Sequence, residues 1–271
     1  MNQDAVDALL ITLGVNAGVL AALVFGAFLI GLRRGRHDGI DVVWGPGFVV
    51  IALITLVSSH GHGDLLVRLL LTGLTVCWGL RLATRLARRS RGGPEERRYA
   101  AIRDRAVGGP RLRLLWTVYL PRGLVLWVVS APVQVGQFFA ERSTPSLIAG
   151  AVVWLLGFAF ETIGGHQLAR FRADPANSVR VLDTGLWRYT RHPNHVGDAA
   201  VWWGLFLLAC HGLPALLTLP APLLLSLLLS RGSRRQLLER RLLMRRSGYA
   251  RYVATASGFV PLPPKRERVD R

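Results

Sequence analysis

Apolar residues run along this chain in long blocks, at 7–32, 43–58, 65–80, 114–136, 146–164 and 197–230. Strand-type alternation is not what the blocks show. Each of the first five approaches the ~20 helical residues that cross the hydrocarbon core of a bilayer. The sixth is too long for one crossing, and Gly212-Leu213-Pro214 predicts a tight turn within it, which raises the expected number of spans to seven. The first block has no cationic start and no small-residue cleavage site, so it is expected to remain as a helix. The pattern predicts an all-α, polytopic membrane helix bundle forming one integral domain over 1–271. Its segments are three N-terminal helices (1–80), a basic loop (81–113), a second helical block enclosing a polar loop (114–230) and a basic tail (231–271).

Composition narrows the class. The 271 residues are 51% hydrophobic yet carry a net charge of +18, from 34 Lys+Arg against 16 Asp+Glu. So apolar a chain is neither disordered nor a soluble enzyme, and nucleic-acid-binding modules rarely repeat bilayer-length apolar runs. Every cation except Arg68, Arg122 and Arg142 falls in a segment that follows an odd-numbered span. By the positive-inside rule those segments are cytoplasmic, the N-terminus is outside and the C-terminus is inside. The bilayer and its anionic lipids are the expected partners of this charge, with no nucleic acid.

The two cysteines, Cys77 and Cys210, lie in different apolar runs without metal-ligand spacing and are expected to be packed free thiols. Arg81, Arg85 and Arg88 form one stripe along a helix leaving the third span. That stripe fits either lipid head groups or the wall of an anion pocket. Polar residues within spans are costly and therefore candidates for function. Glu161 is the foremost, near the inner end of the fifth span, and Arg122, Gln134 and Gln137 belong to the fourth. Arg122 is expected to snorkel, to pair with Glu161 or to act in catalysis.

The densest constellation lies between 167 and 203. It contains Gln167, Arg170, Arg172, Asn177, Trp187, Arg188, Tyr189, Arg191, His192, Asn194, Asp198 and Trp202. Guanidinium forks hold phosphate in a bidentate manner, amide and carboxylate side chains bond amides and sugar hydroxyls, and aromatic faces take a flat ring. This is the inventory of a nucleotide cofactor site, without a GxGxxG or P-loop signature. A metal is not expected, because Pro193 separates His192 from His195 and no further close ligand follows. In the tail, arginines from Arg231 to Arg246 surround Leu237, Leu238, Leu242 and Leu243. They do not collect on one side, which predicts a helix packed on the inner mouth of the bundle, presenting some arginines to a ligand and others to lipid, rather than one lying freely on the surface.

The run Gly185-Leu-Trp-Arg-Tyr-Thr-Arg-His-Pro-Asn194 resembles a bacterial membrane-protein family of unknown function grouped with the steroid 5-alpha reductases. It is joined by Glu161, Gln167-Leu-Ala-Arg-Phe-Arg172, Trp202-Trp-Gly, Gly248-Tyr-Ala-Arg-Tyr252 and Trp78-Gly-Leu-Arg-Leu82. The resemblance implies a helix bundle in a bacterial inner (plasma) membrane, enclosing NADPH at its cytoplasmic end and reducing a C=C bond of a lipid, isoprenoid or steroid-like substrate. It makes 114–230 the reductase-like part. By position, Arg172, Asn194 and Arg191 match nucleotide-holding residues, and Glu161 stands where a cofactor-contacting polar residue is expected. Gly165, His195 and Val196 depart from the pattern, and the Glu and Tyr that polarise the enone of steroids have no match. Related proteins include methyltransferases, so a membrane enzyme using S-adenosylmethionine and a non-catalytic lipid-binding protein are the alternatives. The arginine load favours NADPH, which carries phosphates where S-adenosylmethionine has none.

Overall fold

The computed structural model describes residues 2–91, 110–231 and 233–265. Most of the basic loop expected at 81–113 and the last six residues lie outside that range. The described residues are helical throughout, apart from connecting loops and one isolated bridge between Thr190 and Ser257. Six helical stretches are long and apolar enough to cross a membrane: Gln3–Arg34, Gly39–Ser58, Leu65–Arg88, Leu112–Phe139, Thr144–Ala173 and Gly212–Arg231. The protein is an integral, multi-pass helical membrane protein. The long run at 197–230 is broken as its length requires, although the break falls at Cys210 and His211. Gly212 then adopts a left-handed φ of 67° to start the next short helix.

Two compact units make up the chain. The first, residues 1–147 with 208–221, contains α1 (Gln3–Arg34), α2 (Trp44–Ser58), α3 (Leu65–Arg91), α4 (Pro110–Leu114), α5 (Leu120–Val129) and α6 (Ala131–Phe139). A π-helical turn, Leu115–Tyr119, joins α4 to α5. Pro121, two residues past the turn, has no N–H to donate, and its ring crowds the preceding turn, which favours local widening. The turn buries Val118 and Tyr119 against Val24, Phe28, Ile40 and Leu114. There the Tyr119 hydroxyl lies 2.8 Å from His37 Nδ1. Arg122 pairs with Asp41 at 3.3 Å and donates to the Val118 carbonyl. Arg68, set within a span, turns back to the end of α2, donating to Ser59 Oγ and the Leu56 carbonyl at 2.9 and 2.7 Å.

A polar seam crosses this unit. Asn16 Nδ2 donates to Thr55 Oγ1 at 3.1 Å and to Gln134 Oε1 at 2.8 Å. Thr55 gives its own proton to Ile51, and Gln134 donates to Ser130 Oγ and the Trp127 carbonyl, so the direction of every bond in the chain is fixed. Gln137 donates to the Ala52 carbonyl beside it. Such bonds join helices where lipid offers no hydrophobic drive. Cys77 is exposed on α3 and Cys210 half-buried, both free. The expected burial of Cys77 fails because the outward face of a membrane helix meets lipid, where a thiol needs no cover.

The second unit, residues 148–207 with 222–271, is built on α7 (Thr144–Ala173), α8 (Pro193–Ala209) and α10 (Pro220–Arg231). The short α9 (Gly212–Leu216), which precedes α10, belongs to the first unit, while α11 (Ser233–Arg245) and α12 (Tyr249–Thr255) complete the second. Gly150, Trp154, Gly157, Glu161 and Gly164 form a buried stripe along α7 at alternating spacings of four and three. Gly197 and Gly204 of α8 meet that stripe. A Cβ on Gly204 would lie 2.6 Å from Trp154 N, and one on Gly157 2.7 Å from Val201 N. Small residues therefore let the two backbones touch, the usual device for close helix association in lipid.

Candidate functional site

The polar loop between α7 and α8 is held from three sides, all within the second unit. Gly164, inside α7, packs on Pro193 at the start of α8, so α8 begins against the body of α7. Gln167, on the last turns of α7, accepts the Leu186 N–H at 3.1 Å, where Gly185 (φ 61°) lies so close that a side chain would strike the Gln167 amide. Trp187 Nε1 donates to the Gly164 carbonyl at 3.1 Å. Asp174 accepts the Ala176 N–H, and Asn177 Nδ2 donates back to the Phe171 carbonyl. Arg246 holds the carbonyls of Asn177 and Arg180.

The C-terminal segment closes the far side. Thr190 Oγ1 donates to the Phe259 carbonyl at 2.9 Å, and Arg191 N donates to Ser257 O at 2.9 Å. The Tyr252 hydroxyl donates to the Trp187 carbonyl at 2.5 Å. Burial pushes that phenol well above its usual range, reinforced by Tyr249 and, less, by Asp183 and Glu239, while Arg191 opposes. It therefore stays a donor at every physiological pH.

At the centre stands Glu239 of α11. Arg191 Nε lies 3.2 Å from Glu239 Oε1 and Nη2 3.4 Å from Oε2, a fork-on-fork pair, while Arg191 Nη1 donates to the Val253 carbonyl at 2.9 Å. His192 Nε2 lies 2.8 Å from the same Oε1, and its ring stacks on His195 with centroids 5.1 Å apart. One carboxylate thus serves two of the residues expected to touch a ligand. Sequence reasoning missed Glu239. The signal was present, a lone acid in a stretch of arginines.

The expected site residues therefore divide. Gln167, Asn177, Trp187, Arg191 and His192 are engaged in holding the loop. Glu161 is buried in the α7–α8 seam, with the Gly197 backbone against it. Arg172 is exposed, as are Arg170 and Arg188, and Tyr189 is 43% exposed. Asn194 and Asp198 are half-buried in the first turns of α8. The loop so built is a latched frame from which these arginines and one aromatic ring are exposed. Among the described residues no group of three His, Cys, Asp or Glu side chains is placed to share a metal ion.

These features define a multi-pass membrane protein with a basic, internally braced loop between two tightly packed helices. Residues 27–256 match the family described as "Protein of unknown function (DUF1295)", and the chain belongs to that family. No curated protein and no solved structure matches it.

Proposed function

We propose that this protein is a membrane-embedded, NADPH-dependent reductase of an apolar, lipid-like substrate, with the N-terminus outside, the C-terminus in the cytoplasm and α8 as a seventh span. At 17 residues α8 is at the short end of what crosses a bilayer. The observation that carries the reading is the separation of roles in the loop. Arg191 pairs with Glu239 and His192 bonds the same carboxylate, whereas Arg170 and Arg188 are exposed on the segments this bonding braces, with Tyr189 exposed next to Arg188 in the chain.

The chemistry of this set suits a dinucleotide phosphate. Arg170, Arg172 and Arg188 would take the phosphates, Tyr189 would offer a ring face, and the Asn194 amide would bond a sugar hydroxyl or carboxamide. NADPH, when bound, supplies a hydride; the chain supplies position and exclusion of water. The accompanying proton falls to Tyr189 of the loop or to His195 in the first turn of α8.

Titration of the detergent-purified full chain with NADPH and with S-adenosylmethionine tests the reading. Saturable NADPH binding is expected, weakened at least tenfold by the Arg172→Ala/Asn194→Ala double variant with unchanged thermal stability. Binding of S-adenosylmethionine alone, or of neither, overturns it.

A further inference from the structure

Only three side chains of α11 from Glu239 onward turn toward the loop: Glu239, Leu242 and, just past its end, Arg246. They recur at three and four residues and so occupy one narrow stripe. The opposite side is apolar at its crest. At 100° per residue, Leu237 and Met244 lie about 20° apart on the outward face, with Arg240 on one flank and Arg241 and Arg245 on the other. Leu237 is 45% and Met244 78% exposed, and all three arginines are exposed. The helix begins at Ser233, two residues after the span Gly212–Arg231 ends, so it stands at head-group level.

We infer that the Leu237–Met244 ridge of α11 docks on the anionic surface of the bilayer, its leucine and methionine entering the head-group boundary and Arg240, Arg241 and Arg245 pairing with lipid phosphates. An apolar crest flanked by arginines is the profile of an interfacial helix, and the arginines complement anionic lipid in charge. Water would leave Met244 and Leu237 exposed to no gain. The inward stripe makes the docking more than an anchor. Through Glu239 the same helix grips Arg191 and His192, so α11 is a strap between the membrane surface and the braced loop. The inference stands on this geometry and does not depend on the nucleotide reading.

The test places a nitroxide label at Met244→Cys in a Cys77→Ala/Cys210→Ala chain. The protein is reconstituted in phosphatidylcholine vesicles with and without 30% phosphatidylglycerol, and accessibility to oxygen and to a water-soluble nickel chelate is read. A label at Ala254→Cys, exposed on α12, is the reference. In anionic vesicles the 244 label is expected to favour oxygen over nickel severalfold more than the 254 label, and Arg240→Gln/Arg241→Gln is expected to abolish the difference. Aqueous accessibility at 244 in both vesicles overturns the inference, as does equal depth with and without phosphatidylglycerol. Dipolar broadening with low access to both reagents would show a second copy on the ridge and overturn it equally.

Discussion

A Cβ on Gly197 would fall 2.5 Å from the backbone nitrogen of Glu161, so α8 meets α7 main chain to main chain beside a buried carboxylate. Nothing at that contact is the far end of a flexible side chain. Gly197→Ala is expected to cost about 1–3 kcal/mol or more through forced separation of the helices. A fall of several degrees in the melting temperature of the detergent-purified protein should report it. Gly18→Ala, where no atom lies within 4 Å, is the control and should leave stability unchanged or slightly raised.

Glu239→Gln keeps the shape of the side chain but removes the charge that Arg191 and His192 share. Hydrogen bonds to a charged partner contribute about 1.5–3 kcal/mol, so a loss of that order is expected, reduced by the partial exposure of the site. Faster tryptic cleavage between 232 and 265 would report the loosened strap. If cleavage is no faster, the clamp is not what holds α11.

Tyr252 links stability to alkaline pH. Its folded-state pKa is raised above the ordinary value of 10.0. The native state therefore holds this proton where the unfolded chain has released it. The stabilisation is complete below about pH 10 and is lost as pH rises beyond. Tyr252→Phe should cost about 1 kcal/mol at neutral pH through the lost bond to the Trp187 carbonyl. It should also flatten the decline between pH 10 and 11.5, measured as the difference in melting temperature from the parent chain.

In the first unit, Asn16 and Gln134 should be coupled. A double-mutant cycle of Asn16→Ala and Gln134→Ala is expected to give about 0.6–1.7 kcal/mol of interaction energy, the range for hydrogen bonds between membrane helices. Additive losses would show that the 2.8 Å contact adds nothing beyond packing.

Hydropathy made the spans legible because a bilayer imposes one length on them, and it located five spans directly and the break in the sixth run to within two residues. Local geometry was less legible. The π turn at Leu115–Tyr119 follows from Pro121, but a proline in an apolar run signals only a disturbance and not its form. The arginines of the loop look alike in sequence. That Arg191 binds Glu239 while Arg172 and Arg188 are exposed depends on a contact 48 residues away, which periodicity does not encode. Glu161 stood out as a polar residue in a span, yet the glycines that bury it carry no chemical signal except their sevenfold spacing.

Gly164 against Pro193 rivets the start of α8 to the body of α7, and Gln167 and Trp187 tie the loop between them back to that helix. The conformational freedom of the residues between them is surrendered when the chain folds, before any ligand arrives. A molecule bound there would meet a surface braced beforehand, and less of its binding free energy would go into ordering the protein.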